Sequence, residues 1–220
     1  MDKKTRKTLR LMAVSAISAL LLLLAACDTD NNNNNVGVND NNASVNNNNE
    51  GEETEPPIRP IPHQIDQSER EEFNDLWLPL IPPAEGTFEL TESEHAFYDE
   101  FILTGNIAAL YGAAPASMIK IQMQAAIDGY FERSFILYHP HTLDGLTPEE
   151  YLPTPETPLE HTGTPETRQA WANVLFSQID DGELEIRNDL ALVMFYTELD
   201  EHVTLWTRQN EDGVWLIEFN

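Results

Sequence analysis

The chain has 220 residues and a formal net charge of −26, with 38 acids set against 12 lysines and arginines. A surface this negative excludes nucleic acid and anionic lipid headgroups as electrostatic partners. A single cysteine excludes an intramolecular disulfide and any paired-cysteine metal site.

The N-terminus departs from that acidity. Lys3, Lys4, Arg6, Lys7 and Arg10 form a basic region, Leu11 to Leu24 an apolar one, and small residues precede Cys27, which is the order of an export signal. The apolar run is shorter than the roughly 20 residues a membrane span takes. Leu24-Ala25-Ala26-Cys27 resembles the lipobox of bacterial lipoproteins. That resemblance implies a signal peptide over residues 1–26, diacylglycerol on the Cys27 thiol, cleavage before it and often acylation of the new amine. It places the mature chain on the extracytoplasmic face of a cell membrane. Asp28 resembles an inner-membrane retention signal if the host is Gram-negative and carries no such message if it is Gram-positive. Loss of residues 1–26 removes five basic residues and one acid, moving the net charge from −26 to −30. Lys120 is then the one lysine left.

Residues 27–66 read as a disordered tether, with asparagine tracts at 31–35 and 46–49 followed by Glu50, Glu52, Glu53, Glu55 and several prolines. Such a composition cannot bury a core. As a flexible coil, about 40 residues reach ~35 Å on average.

Residues 67–220 are long enough for one acidic domain. Ser68-Glu69-Arg70-Glu71 has the pattern of a capping box and predicts a short helix stopped by Pro79, Pro82 and Pro83. Thr91-Glu92-Ser93-Glu94 predicts a second helix, with Phe97, Phe101, Ala108 and Tyr111 on one face and Gly112 at its end. Pro115 suits the first position of a third, apolar at Met118, Ile119, Ile121, Ala125 and Ala126. Asp128-Gly129 breaks it, and Phe131, Phe135 and Tyr138 predict a further helical piece running to His139.

Residues 140–165 read as a long loop holding Thr-Pro-Glu-Thr twice, with helix starts at Thr147-Pro148 and Thr164-Pro165. From Gly182 the periodicity changes to that of strands: 184–187, 190–197, 202–209 and 214–219, with Asn210-Glu211-Asp212-Gly213 as a hairpin connection. Both faces of the last strand are partly apolar. Helices first and an antiparallel meander last predict the α+β class.

The break Ala125-Ala126-Ile127-Asp128-Gly129-Tyr130-Phe131 and the late strands ending in Asp212-Gly213-Val214-Trp215-Leu216-Ile217 resemble the nuclear transport factor 2-like (cystatin-like) superfamily. That resemblance implies a cone of helices and sheet around a cavity, used by some members for acid-base catalysis and by others for binding or packing. The proline-rich insert departs from the family's compact pattern.

The densest ligand-like group is His139-Pro140-His141 with Asp144, a metal candidate if both imidazoles share a face and otherwise a polar loop after a helix. Glu218, the acid embedded among the apolar positions of the last strand, is a ligand-binding candidate together with Tyr111, Tyr138 and Tyr196. Glu218 otherwise faces outward at an edge. The sequence contains no nucleophile elbow, phosphate-cradling glycine loop or metalloprotease helix, so neither a catalytic residue nor a cofactor is expected. The reading is a membrane-anchored lipoprotein presenting a binding or scaffolding domain whose protein or small-molecule partner the sequence does not identify. The alternative is a small-molecule carrier or acid-base enzyme with a cavity between helices and sheet.

Overall fold

The computed structural model describes residues 59–143, 152–154 and 157–218. Cys27 and the lipobox, most of the expected tether, Asp144 and the Thr147-Pro148 helix start lie outside them. Among the described residues no helix is long and apolar enough to cross a membrane. The domain is α+β, with helices followed by an antiparallel sheet.

Helix α1 spans Gln67–Trp77. Its N-cap is Asp66, whose carboxylate accepts from the backbone N–H groups of Ser68 and Glu69. The Ser68 hydroxyl, expected to cap, donates to Asp66 as well. A carboxylate accepts more strongly than a hydroxyl and favours the positive end of the helix dipole.

Helix α2 (Glu92–Thr104) opens with the predicted capping box between Thr91 and Glu94. It ends eight residues before Gly112. Gly105 takes φ 67° and donates to the Phe101 carbonyl at 2.7 Å, so the left-handed cap goes to the first glycine available. Asn106 then caps a short 3₁₀ turn over Ile107–Leu110, so Ala108 lies in a separate turn and Tyr111 in the extended residue after it, not on α2.

Helix α3 (Pro115–Ile127) begins at its proline as expected. Met118, Ile119, Lys120, Ile121, Gln122, Met123 and Ala125 are all buried, as befits a helix enclosed on every side. It touches α2, the sheet and helices α4 (Phe131–Phe135) and α6 (Pro165–Phe176). Gly129, at φ 82°, makes the break between α3 and α4, and its carbonyl accepts from the His63 backbone at 3.2 Å. A short helix, α5 (Leu159–Thr162), precedes α6. Thr164 caps α6 with Thr167 as its reciprocal partner.

Helix α4 stops at Phe135, short of the predicted His139. The Ile217 N–H donates to the Leu137 carbonyl at 2.9 Å, and the His139 N–H donates to the Ile217 carbonyl at 2.7 Å. These bonds place Tyr138 in a parallel bridge with Ile217. The outer edge of the last strand would otherwise present unpaired backbone groups, and that requirement outweighs the helical spacing of Phe131, Phe135 and Tyr138.

Strands β1 (Glu183–Arg187), β2 (Leu190–Tyr196), β3 (His202–Gln209) and β4 (Trp215–Glu218) form a meander in the order β1-β2-β3-β4. Asn188, at φ 58°, turns β1 into β2, and Gly213, at φ 79°, closes the predicted β3–β4 hairpin. Val193, Phe195, Leu205 and Ile217 lie on one face and cluster with Phe88, Ile119, Met123 and Phe176. Each such burial stabilises by about 1.5–3 kcal/mol before entropy is counted. The opposite face carries Leu192, Met194 and Trp206, half-buried, with Arg208 and Glu218.

Two charged side chains hold this packing together. Lys120, 1% exposed, places Nζ 2.7 Å from both Glu94 of α2 and Asp180 of the turn before β1. Burial pushes its ammonium down, but the two carboxylates outweigh that and hold it above its ordinary value. Arg168 of α6 donates to the carbonyls of Ile127, Thr162 and Gly163 and lies over the Phe131 ring. Burial brings its guanidinium down to about 10, still charged at neutral pH.

Candidate functional site

The chain brings two imidazoles and a carboxylate together where the 137–139 segment meets β4. One donor atom from each of His139, His141 and Glu218 lies within 4.8 Å of the others. The position of each follows from the backbone. Successive residues of an extended segment point to opposite faces, so Tyr138 turns into the core while His139 faces the other way. In the same manner Ile217 turns inward and Glu218 outward. Pro140 then bends the chain, a turn closed by the Thr142 N–H on the His139 carbonyl at 2.8 Å. That turn swings His141 back over His139. The two rings meet edge to face with centroids 4.7 Å apart, and the His141 backbone N–H reaches His139 Nδ1 at 3.3 Å.

His141 Nδ1 stands 4.0 Å from Glu218 Oε1. The other carboxylate oxygen is engaged: Arg208 Nε donates to Glu218 Oε2 at 3.0 Å, and Arg208 Nη1 is 2.7 Å from Asp189 Oδ2. Arg208 therefore fixes the rotation of the Glu218 carboxylate and leaves Oε1 facing the imidazoles. Trp206, opposite Glu218 in the β3–β4 ladder, supplies an apolar neighbour on the same face.

The charges follow this geometry. Burial pushes the His139 imidazole below its ordinary value, and the nearby His141 adds to the shift, so His139 is neutral at pH 7. Hydrogen bonds to Asp189 and Glu218 raise the Arg208 guanidinium, and Asp189 is lowered in turn. Arg208 stands between the carboxylates of Asp189 and Glu218 and bonds to both. Accessibility across the group is graded: His139 is buried, the Glu218 side chain is 14% exposed and that of His141 is 76% exposed.

Comparison of the chain with family models, with curated proteins and with solved structures found no match. The site is therefore read from its own chemistry.

Of the residues singled out in the sequence, the fold assembles His139, His141 and Glu218. Asp144 lies outside the described residues. The three tyrosines stand apart from the group. Tyr138 is buried in the core, where its hydroxyl accepts from Gln122 at 2.9 Å. Tyr111 is 69% exposed, and Tyr196 is exposed with its ring against His202. Sequence reasoning missed Arg208 and Asp189. The signal was present in the Asn210–Gly213 hairpin, which sets Trp206 opposite Glu218 and so puts Arg208 on the same face.

Proposed function

We propose that this chain is a lipid-anchored extracytoplasmic protein whose acidic α+β domain binds a ligand or partner rather than catalysing a reaction. Its contact surface is the edge where His139, His141 and Glu218 meet. The observation that carries the binding reading is the division of the domain's contents. Polar groups converge on the outward face of the sheet, whereas Phe88, Ile119, Met123, Phe176, Val193 and Phe195 pack together between the helices and the inner face. The same reading takes the helices-first, meander-last order as the nuclear transport factor 2-like plan in its binding and packing form.

The lipid anchor rests on the basic region, the apolar run and Leu24-Ala25-Ala26-Cys27. Charge makes the anchor necessary. A mature chain at −30 gains nothing from anionic headgroups, so acyl chains on Cys27 are its hold on the membrane, and two or more chains hold firmly where one does not. A tether reaching ~35 Å carries the domain beyond the Debye length of about 8 Å at physiological salt.

Metabolic labelling with a fatty acid, followed by mass analysis of the mature N-terminus, tests the anchor. The label is expected on Cys27 and absent after Cys27→Ala. An unmodified Cys27 in protein from a host with the lipidation machinery overturns the reading.

A further inference from the structure

We propose that His139, His141 and Glu218 form a binding site for one divalent transition-metal ion of the zinc class, held by two imidazole nitrogens and one carboxylate oxygen with a fourth position open to water or an incoming ligand. The inference deepens the binding reading above by naming the ligand class for the same edge.

Three observations carry it. The donor set is the first, because neutral imidazole with carboxylate suits zinc and its neighbours, whereas calcium and magnesium take oxygen throughout. Spacing is the second. Donors about 2.0–2.1 Å from a tetrahedral ion lie about 3.3 Å from one another, so the 4.0 Å between His141 Nδ1 and Glu218 Oε1 must close by ~0.7 Å, and the widest pair, within 4.8 Å, by at most ~1.5 Å. His141 is exposed and free to make that movement, whereas the square-planar setting of copper(II), with adjacent donors ~2.9 Å apart, demands more. The third is support around the ligands. Arg208 holds Glu218 Oε2 and is itself held by Asp189, the kind of outer contact that orients a ligating carboxylate. Ligation through His139 Nδ1 would exchange the long 3.3 Å contact from the His141 N–H for the metal, and ligation through Nε2 would keep it.

The other clusters in the domain do not have this character. Lys120 already occupies the space between its two carboxylates as their cation, and Arg168 is spent on backbone carbonyls. On the Leu192, Met194 and Trp206 face the register also places Glu183, Glu185 and His202, but among the described residues only His139, His141 and Glu218 bring three such donors together.

The test is calorimetric titration of the full chain in detergent with zinc chloride at physiological salt, which suppresses diffuse binding to the acidic surface. A single saturable site is expected. His141→Ala removes an exposed side chain, so the fold survives, and is expected to weaken binding at least tenfold, the least that loss of even an outer-shell partner costs. Glu218→Gln should do the same, and His202→Ala, remote from the cluster, should change nothing. Cobalt(II) added in place of zinc should give the intense visible absorption of a tetrahedral site in the parent and lose it in His141→Ala. Absence of a saturable zinc site, or binding equal in the parent, His141→Ala and Glu218→Gln, overturns the proposal. Neither outcome bears on lipid attachment, which the labelling of Cys27 decides separately.

Discussion

Replacing Lys120 with methionine tests the charge chemistry of the core. The methionine fills the space of the lysine stem and so opens no large cavity, but it removes the cation shared by Glu94 and Asp180. Breaking a buried ion pair from one side costs about 3–5 kcal/mol. Two features place Lys120→Met at the low end. The Asp180 side chain is 57% exposed and rehydrates. Glu94 also keeps hydrogen bonds from the Thr91 N–H and the Ser117 hydroxyl. A loss of ~3 kcal/mol corresponds to roughly 6–12 °C in melting temperature for a domain of this size.

The assay is urea and thermal unfolding of the chain from Asp28 onward, alone and with Glu94→Gln added. The double variant should recover about 1–2 kcal/mol, because the uncompensated charge is gone. The pH dependence has a definite sign. Glu94 in the folded parent lies below its ordinary value of 4.5, its bonds from Lys120, Thr91 and Ser117 outweighing the burial that would raise it. The parent's contribution is thus present above about pH 4.5 and lost as the pH falls. In Lys120→Met the buried acid is free to take up a proton, so the gap between parent and variant should narrow on acidification. A loss under about 1 kcal/mol, or a double variant no more stable than the single one, would falsify the picture of a buried charge held by its partners.

Two further measurements bear on the surface. Arg70 bonds to Glu166 and holds its carboxyl down to about 2, so this bridge should stabilise above about pH 4.5 and lose its effect as the pH falls toward 2. Both side chains are more than a third exposed, 35% and 39%, which limits the effect to under ~1 kcal/mol. Acid titrations of the parent and Arg70→Gln should converge at low pH, and a constant difference down to pH 2 would rule the bridge out as the cause. For the mature charge of −30, the melting temperature should rise with sodium chloride from low to physiological strength as repulsion is screened; a flat or falling trend means the acids are spaced well enough not to repel.

How much of the fold was legible depends on how local its causes are. The β2, β3 and β4 strands, the Gly213 hairpin, the Thr91–Glu94 and Thr164 caps and the Pro115 start all follow from interactions spanning a few residues, and the structure places them within a residue or two of expectation. The misplaced ends have a common origin. Helical periodicity carried α2 past Gly105 and α4 through Tyr138, because a pattern of apolar residues does not register a left-handed cap or a free strand edge. The 137–139 segment is extended because β4, about 80 residues further along, has backbone groups to satisfy.

That long-range pairing also separates the two halves of the candidate site. His139 and His141 were visible as neighbours in the chain, and Glu218 as an acid in an apolar strand. Their meeting required the parallel bridge between Tyr138 and Ile217, which turns His139 and Glu218 outward on the same side. Lys120 shows the same division. Its uniqueness after residue 26 is a fact of composition, whereas its partners lie 26 residues before it and 60 after it, on elements brought together only by packing around α3. By itself the sequence determined the class, the local boundaries and the inventory of ionisable groups, because these depend on side-chain type and short spacing. Which of those groups face one another was decided by the tertiary structure, since strand register and helix packing set distances that neighbouring residues do not encode.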